Sequence, residues 1–238
     1  MNRGTFIVSS ASIAALGAAT AGAAAQGVPG GTHLVERKAD FDEAAFARLA
    51  GKPADIRIVI ESIAFHPQAF SNIKNALNGL QFGFGYPDSR ISIFFAPHGA
   101  SSAFTYSDYV WSKYKIGDFF KLKDDKGNPI TSNTFLAPAS APSASTDPDD
   151  PASMYQDTSI ETLQKRGVTF LTCHTAVEEQ ARGLLKAGNA PSGMSASDVA
   201  ADILTHLIPG THVVPSMMGT IMVLQSRYHY GFQALTFA

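Results

Sequence analysis

The sequence predicts an α/β protein, a three-layer α/β/α sandwich around a five-stranded, mainly parallel sheet. Three observations predict it. Beyond residue 55, short β-rich runs alternate with segments of helical periodicity, the pattern of consecutive βαβ units. Runs such as "RISIFFAP" (90–97) and "VTFLTC" (168–173) carry apolar residues on both parities, which fits strands covered on both faces. The chain has 238 residues, 45% hydrophobic and 16% charged, enough apolar material for one sizeable core without a second domain.

The start of the chain reads as a leader. "MNRGTFIVSSASIAALGAATAGAAAQ" has a basic residue at Arg3, then a short Ala/Gly-rich apolar stretch, then Ala23-Ala24-Ala25 before Gln26. These are the three parts of a secretory signal with an A-x-A cleavage site. Residues 1–25 are therefore expected to be a signal peptide and the mature protein periplasmic or secreted, with no membrane insertion after the signal is removed. An arm and a helix follow over 26–54. In "ADFDEAAFARLAGK", Asp40 is placed to cap with Glu43 three residues on, and Phe41, Ala45, Phe46 and Leu49 form a stripe that Gly51 ends; a helix over 41–50 is predicted.

The α/β domain is expected over 55–238. "DIRIVIESI" (55–63) is the first strand, and 67–85 carries Phe70, Ile73, Leu77 and Leu80 at helical spacing. After the second strand at 90–97, the aromatic-rich 106–120 reads as a helix ending at Gly117, and 159–167 as a helix that Gly167 stops. The third strand (168–173) leads to a helix at 176–188, and a Ser-capped helix follows at 195–210. "HVVP" (212–215) is a short fourth strand, 217–228 the last helix and 230–237 the fifth strand. The Pro/Ser/Asp-rich stretch at 123–158 interrupts the pattern. So long a connection is expected as a mobile surface excursion or as a lid over the sheet edge.

The formal charge is −2, the pI is about 6.4, and no Lys/Arg run appears, which argues against a nucleic-acid partner. There is no P-loop, no G-x-G-x-x-G and no G-x-S-x-G elbow, so no cofactor is expected. "SNIK" (71–74) matches S-x-x-K without its partner motifs.

Chemistry is instead suggested by position. Ligands of parallel α/β sheets bind outside the carboxyl ends of the strands. The first strand leads to Phe65 and His66, the second to Pro97, His98 and Gly99. The third ends in Cys173, His174 and Thr175, the fourth in Pro215, Ser216 and Met217. Cys173 is the only cysteine, so no internal disulfide exists, and the thiol is buried and inert, paired between chains, or reactive. A following helix N-terminus and a nearby imidazolium would favour a thiolate; burial at the end of an apolar strand is the other reading. Cys with His also suits zinc or copper, yet no pair has the usual short ligand spacing, and no metal site is assigned.

Several segments in this order resemble the DsrE/DsrF-like family. "RGVTFLTCHTAVEEQARGL" resembles its central strand ending in Cys, "FFAPHGASSAF" its second strand and His-Gly turn, and "HVVPSMMGTIMVLQSRYHYGF" its last helix and strand, with Arg227 and Tyr228 where glycine is frequent. "NRGTFIVSS" resembles a twin-arginine signal with Gly4 in place of the second Arg. It and "DYVWSKYKIGDFFKLKDDKGNPITSNTF" are similar to an exported branch of that family. The resemblance implies an α/β/α sandwich with a five-stranded parallel sheet, assembly into homo-oligomers, and, at the position of Cys173, a cysteine that carries sulfane sulfur. The expected function is binding or carrying a small sulfur species, or another small ligand, on Cys173, with His98, Gly99, His174, Thr175, Pro215 and Ser216 around it. The alternative is a non-catalytic ligand- or metal-binding homo-oligomeric module in which Cys173 is structural. Whether the chain is an enzyme stays open at this point.

Export has a direct test: N-terminal sequencing of the protein recovered outside the cytoplasm should begin near Gln26, whereas an intact Met1 in the cytoplasmic fraction contradicts it.

Overall fold

The structure, a computed structural model, describes residues 41–237; the expected signal peptide and the capping residue Asp40 lie outside them. Helix α1 (Glu43–Ala50) is capped by Asp42, whose carboxylate accepts the Ala45 N–H at 2.8 Å, two residues later than the sequence suggested. Strand β1 (Ile56–Ser62) and helix α2 (Gln68–Asn78) follow, the helix continuing through one π turn at Gly79–Gly83. Strand β2 (Ile91–Pro97) leads into a 3-10 turn, Gly99–Thr105.

The expected long aromatic helix is two short ones, α3 (Asp108–Lys113) and α4 (Ile116–Phe120), broken where Lys115 takes a left-handed φ of 49°. Gly117 is therefore not a stop. It sits inside α4, where a Cβ would come within 2.1 Å of the Ile130 carbonyl oxygen, so glycine is needed for the close approach of the next segment. Then come α5 (Ile160–Lys165), β3 (Val168–Cys173), α6 (His174–Lys186), α7 (Ala196–Thr205), β4 (Thr211–Val214), α8 (Met217–Tyr228) and β5 (Gly231–Ala234).

All five strands are parallel, in the order β4-β3-β2-β1-β5. That order fixes the layers. From β1 to β4 each strand is added on the same side of the last, and right-handed crossovers put every connecting helix on one face. The chain then reverses and α8 carries it back to pair β5 with β1, which the same handedness places on the opposite face. Two cores result. One packs Ile93, Phe95 and Phe170 against α2 to α7; the other packs Val59, Phe94 and Leu171 against α1 and α8. Both edge strands are four residues long, which limits the unpaired backbone they present.

The 123–158 segment is anchored on the helical layer. Asn133 donates to the Phe104 and Tyr106 carbonyls at 2.8 and 2.9 Å, Phe135 packs edge-on against Phe104, and Tyr155 O accepts from Asn78 at 2.8 Å. These bonds hold it to α2 and the 3-10 turn, and account for an extended segment that has its own buried residues.

Arg166, 1% exposed, is the junction of these parts. Its guanidinium donates to Asp88 at 3.0 Å, to Asn78 at 2.7 Å and to Gln81 at 3.2 Å, and lies over the Tyr155 ring. Removing one member of a buried charged network strands the others. Arg166→Met should lower unfolding free energy by about 3 kcal/mol in urea titrations; a loss below about 1 kcal/mol would contradict this role.

Candidate functional site

The reversal after β4 creates a switch point. Helix α6, leaving β3, packs on one face of the sheet, and α8, leaving the neighbouring β4, packs on the other. Where the helices that follow adjacent strands diverge, the carboxyl ends of those strands are the recurrent ligand position of open parallel sheets. Cys173 stands at that point. It is the N-cap of α6, and its Sγ accepts the Ala176 N–H at 3.4 Å and, from the start of α8, the Met217 N–H at 3.3 Å. Two helix N-termini thus aim N–H donors at one sulfur, and both carry the positive end of a helix dipole. The residue is 5% exposed.

Alternation along the strands decides what shares its face. Side chains two apart point the same way, so Val59 and Glu61, Ala96 and His98, Leu171 and Cys173 project toward the α1/α8 side. The β2–β3 register pairs Ile93 with Val168 through Phe95 with Phe170, and the described pairing ends there, short of His98 and Cys173. His98 Nε2 and Glu61 Oε1 are 2.9 Å apart, with side chains 19% and 10% exposed. The carboxylate and the imidazole are therefore in hydrogen-bond contact at the carboxyl end of β2.

The turn after β2 is held from below. Gly99 has a φ of 60°, and a Cβ there would meet Ile63 at 3.3 Å. Its carbonyl accepts from Gln180 Nε2 on α6 at 2.6 Å, and Gln180 Oε1 in turn accepts the Tyr106 hydroxyl. Burial, and secondarily the neighbouring Cys173, push the Tyr106 phenol well above its ordinary range, so it stays neutral and donates. Thr175 donates to Pro215 O at 3.0 Å, tying the start of α6 to the end of β4. His174 and Glu178 stand one helical turn apart on α6, Nε2 to Oε1 3.9 Å. Pro215 and Ser216 line a 280 Å³ cavity between α1 and α8.

Of the residues expected from the sequence, Cys173, Thr175, Pro215 and Ser216 meet at the switch point. His98 and Gly99 end the strand beside it, and His174 pairs along its own helix. His66 is used locally: its ring stacks on Phe237 at 4.4 Å and accepts the Gln68 N–H, and burial lowers its pKa. Glu61 and Gln180 were missed. The signal for Glu61 was a carboxylate at an inward position of an apolar strand; Gln180 carried none. Among the described residues no three His, Cys, Asp or Glu side chains gather to hold a metal ion, and no helix is long and apolar enough to cross a membrane.

No family model, no curated protein and no solved structure matches the chain. The class defined by fold and geometry is an all-parallel, five-stranded α/β/α protein with a cysteine at its switch point.

Gln180 bridges a buried phenol and a carbonyl that would otherwise lack partners. Gln180→Leu should destabilise by about 2 kcal/mol and Tyr106→Phe by about 1 kcal/mol. The double variant should lose less than the sum, because both break the same bond. Strict additivity in urea denaturation would contradict the coupling.

Proposed function

We propose that this chain binds a small sulfur species at the switch point and takes it up on Cys173, as an exported protein that acts in a homo-oligomer. The observation that carries the reading is the pair of N–H donors from α6 and α8 on one sulfur. Thiolate is the nucleophilic form, and two oriented N–H groups complement its charge. In the transfer step, the Cys173 thiolate attacks the outer sulfur of a donor R–S–SH, the donor S–S bond breaks, and R–S⁻ leaves, so that Cys173 becomes a persulfide with no change in proton count. The His98–Glu61 pair, at the end of the strand beside β3, supports the same reading as the candidate acid that protonates the departed R–S⁻ after the transfer. Met218 and Met222, 50% and 60% exposed on the outer face of α8, support assembly with further copies.

A second reading is favoured by the 5% exposure of Cys173: the sulfur caps α6 and locks α8 to the sheet, with no chemistry of its own. Mass spectrometry separates the two. Folded protein treated with inorganic polysulfide should gain one sulfur atom on Cys173, and iodoacetamide should then block the site under native conditions. Cys173→Ser should show neither. Labelling only after denaturation, with no sulfur adduct, would establish the capping role and overturn the carrier.

A further inference from the structure

The N-terminus of α8 is incompletely capped. Met217 N–H is taken by Cys173, but the next two N–H groups, of Met218 and Gly219, have no partner among the described residues. Ser216 occupies the N-cap, where a serine hydroxyl ordinarily accepts from the helix, yet its side chain makes no capping bond. Of these, Gly219 borders the 280 Å³ cavity between α1 and α8.

Two observations beyond the helix end point to an occupant. Thr220 lines the cavity and is 7% exposed, and its hydroxyl has no hydrogen-bond partner among the described residues. Gly219 is also unexplained by packing. Its φ is not positive, and a Cβ there would meet only Ser216, at 3.8 Å. Glycine in a helix costs about 1 kcal/mol relative to alanine; here it leaves the backbone bare where a ligand approaches.

The rest of the cavity is apolar. Phe41 and Phe46 come from the α1 side, with ring centroids 5.8 Å apart, and Tyr228 meets Phe46 edge-on at 6.1 Å. Val223 lies between these rings and the helix start on α8. Glu43 and Arg227 also line it, but they pair with each other at 3.0 Å and contribute no net charge. Donors at one end and rings at the other select a ligand with a small anionic head and an apolar body.

We propose that this cavity binds a small carboxylic acid with an aromatic or branched apolar body, its carboxylate on the Gly219 N–H and the Ser216 and Thr220 hydroxyls. The site is independent of sulfur chemistry at Cys173. The test is a nitrogen-15 NMR titration of the full chain with 3-phenylpropionate, against 3-phenylpropionamide, acetate and inorganic phosphate. The acid should give saturable shifts centred on Gly219 and Thr220, and bind roughly tenfold more tightly than its neutral amide, since the charge-assisted bonds are lost. Acetate and phosphate, lacking the body, should bind more weakly still. Gly219→Ala, which keeps or improves helix stability, and Thr220→Val, which keeps the shape, should each weaken binding several-fold, with circular dichroism unchanged. Cys173→Ser should leave binding as it was. An absent or unsaturable response, an amide that binds as well as the acid, phosphate that binds as tightly as the phenyl acid, or both variants binding like the parent would each overturn the proposal.

Discussion

The reversal of strand order after β4 governs the architecture. Three successive crossovers in one direction load α2 to α7 onto one face of the sheet; the fourth, running back to β5, brings α8 to the other. Without it, one face of five apolar strands would be left to α1 alone. With it, α6 and α8 leave neighbouring strands in opposite directions, and their N-termini converge on the residue between them. That residue is Cys173. Its sulfur joins the two layers through the Ala176 and Met217 N–H groups, so the same contact that closes the fold defines the site.

The two faces are stabilised in different ways. The α2–α7 face is aromatic and deep: Phe65 stacks on Phe104 at 4.0 Å, and Phe70, Phe95 and Phe170 interlock behind them. The 123–158 segment completes it through Asn133 and Phe135. The α1/α8 face is thinner and is tied to the sheet by Tyr230, whose hydroxyl meets Ser92 Oγ at 2.7 Å and the Ala50 carbonyl at 3.2 Å. Two helices cannot cover a five-stranded sheet as fully as six can, and the space left between α1 and α8 is the cavity. Its aromatic end is made by α1 and its polar end by the start of α8.

Much of the fold was legible because buried parallel strands are apolar on both faces and stand out between helical periods. The 168–173 strand and the 217–228 helix were read at their observed limits. The break at Lys115 was not legible: a left-handed lysine leaves no local mark, and Gly117 suggested a stop two residues too late. Strand order was also hidden, since periodicity reports that a strand exists and not which strand lies beside it. The site shows the same division. The rim positions of His98, Cys173 and Ser216 follow from what leaves each strand end. Glu61, inside its strand, acquires meaning only once alternation and register place it beside His98. The cavity depends on Phe46 and Thr220, far apart in sequence, and no local pattern joins them.

The central claim is that Cys173 reacts as a nucleophile on whose sulfur the N–H groups of two helices converge. Met217 occupies the first position of α8, where proline is well tolerated, and Ser216 before it is extended, as a residue preceding proline prefers. Met217→Pro deletes the N–H that reaches the sulfur, and Met217→Ala removes the same side chain but keeps that N–H. The decisive measurement is the rate at which iodoacetamide modifies Cys173 at neutral pH in these two variants. The account predicts that the proline variant reacts roughly tenfold more slowly than the alanine variant. Equal rates would show that the bond to Met217 does not act on the reactivity of the sulfur.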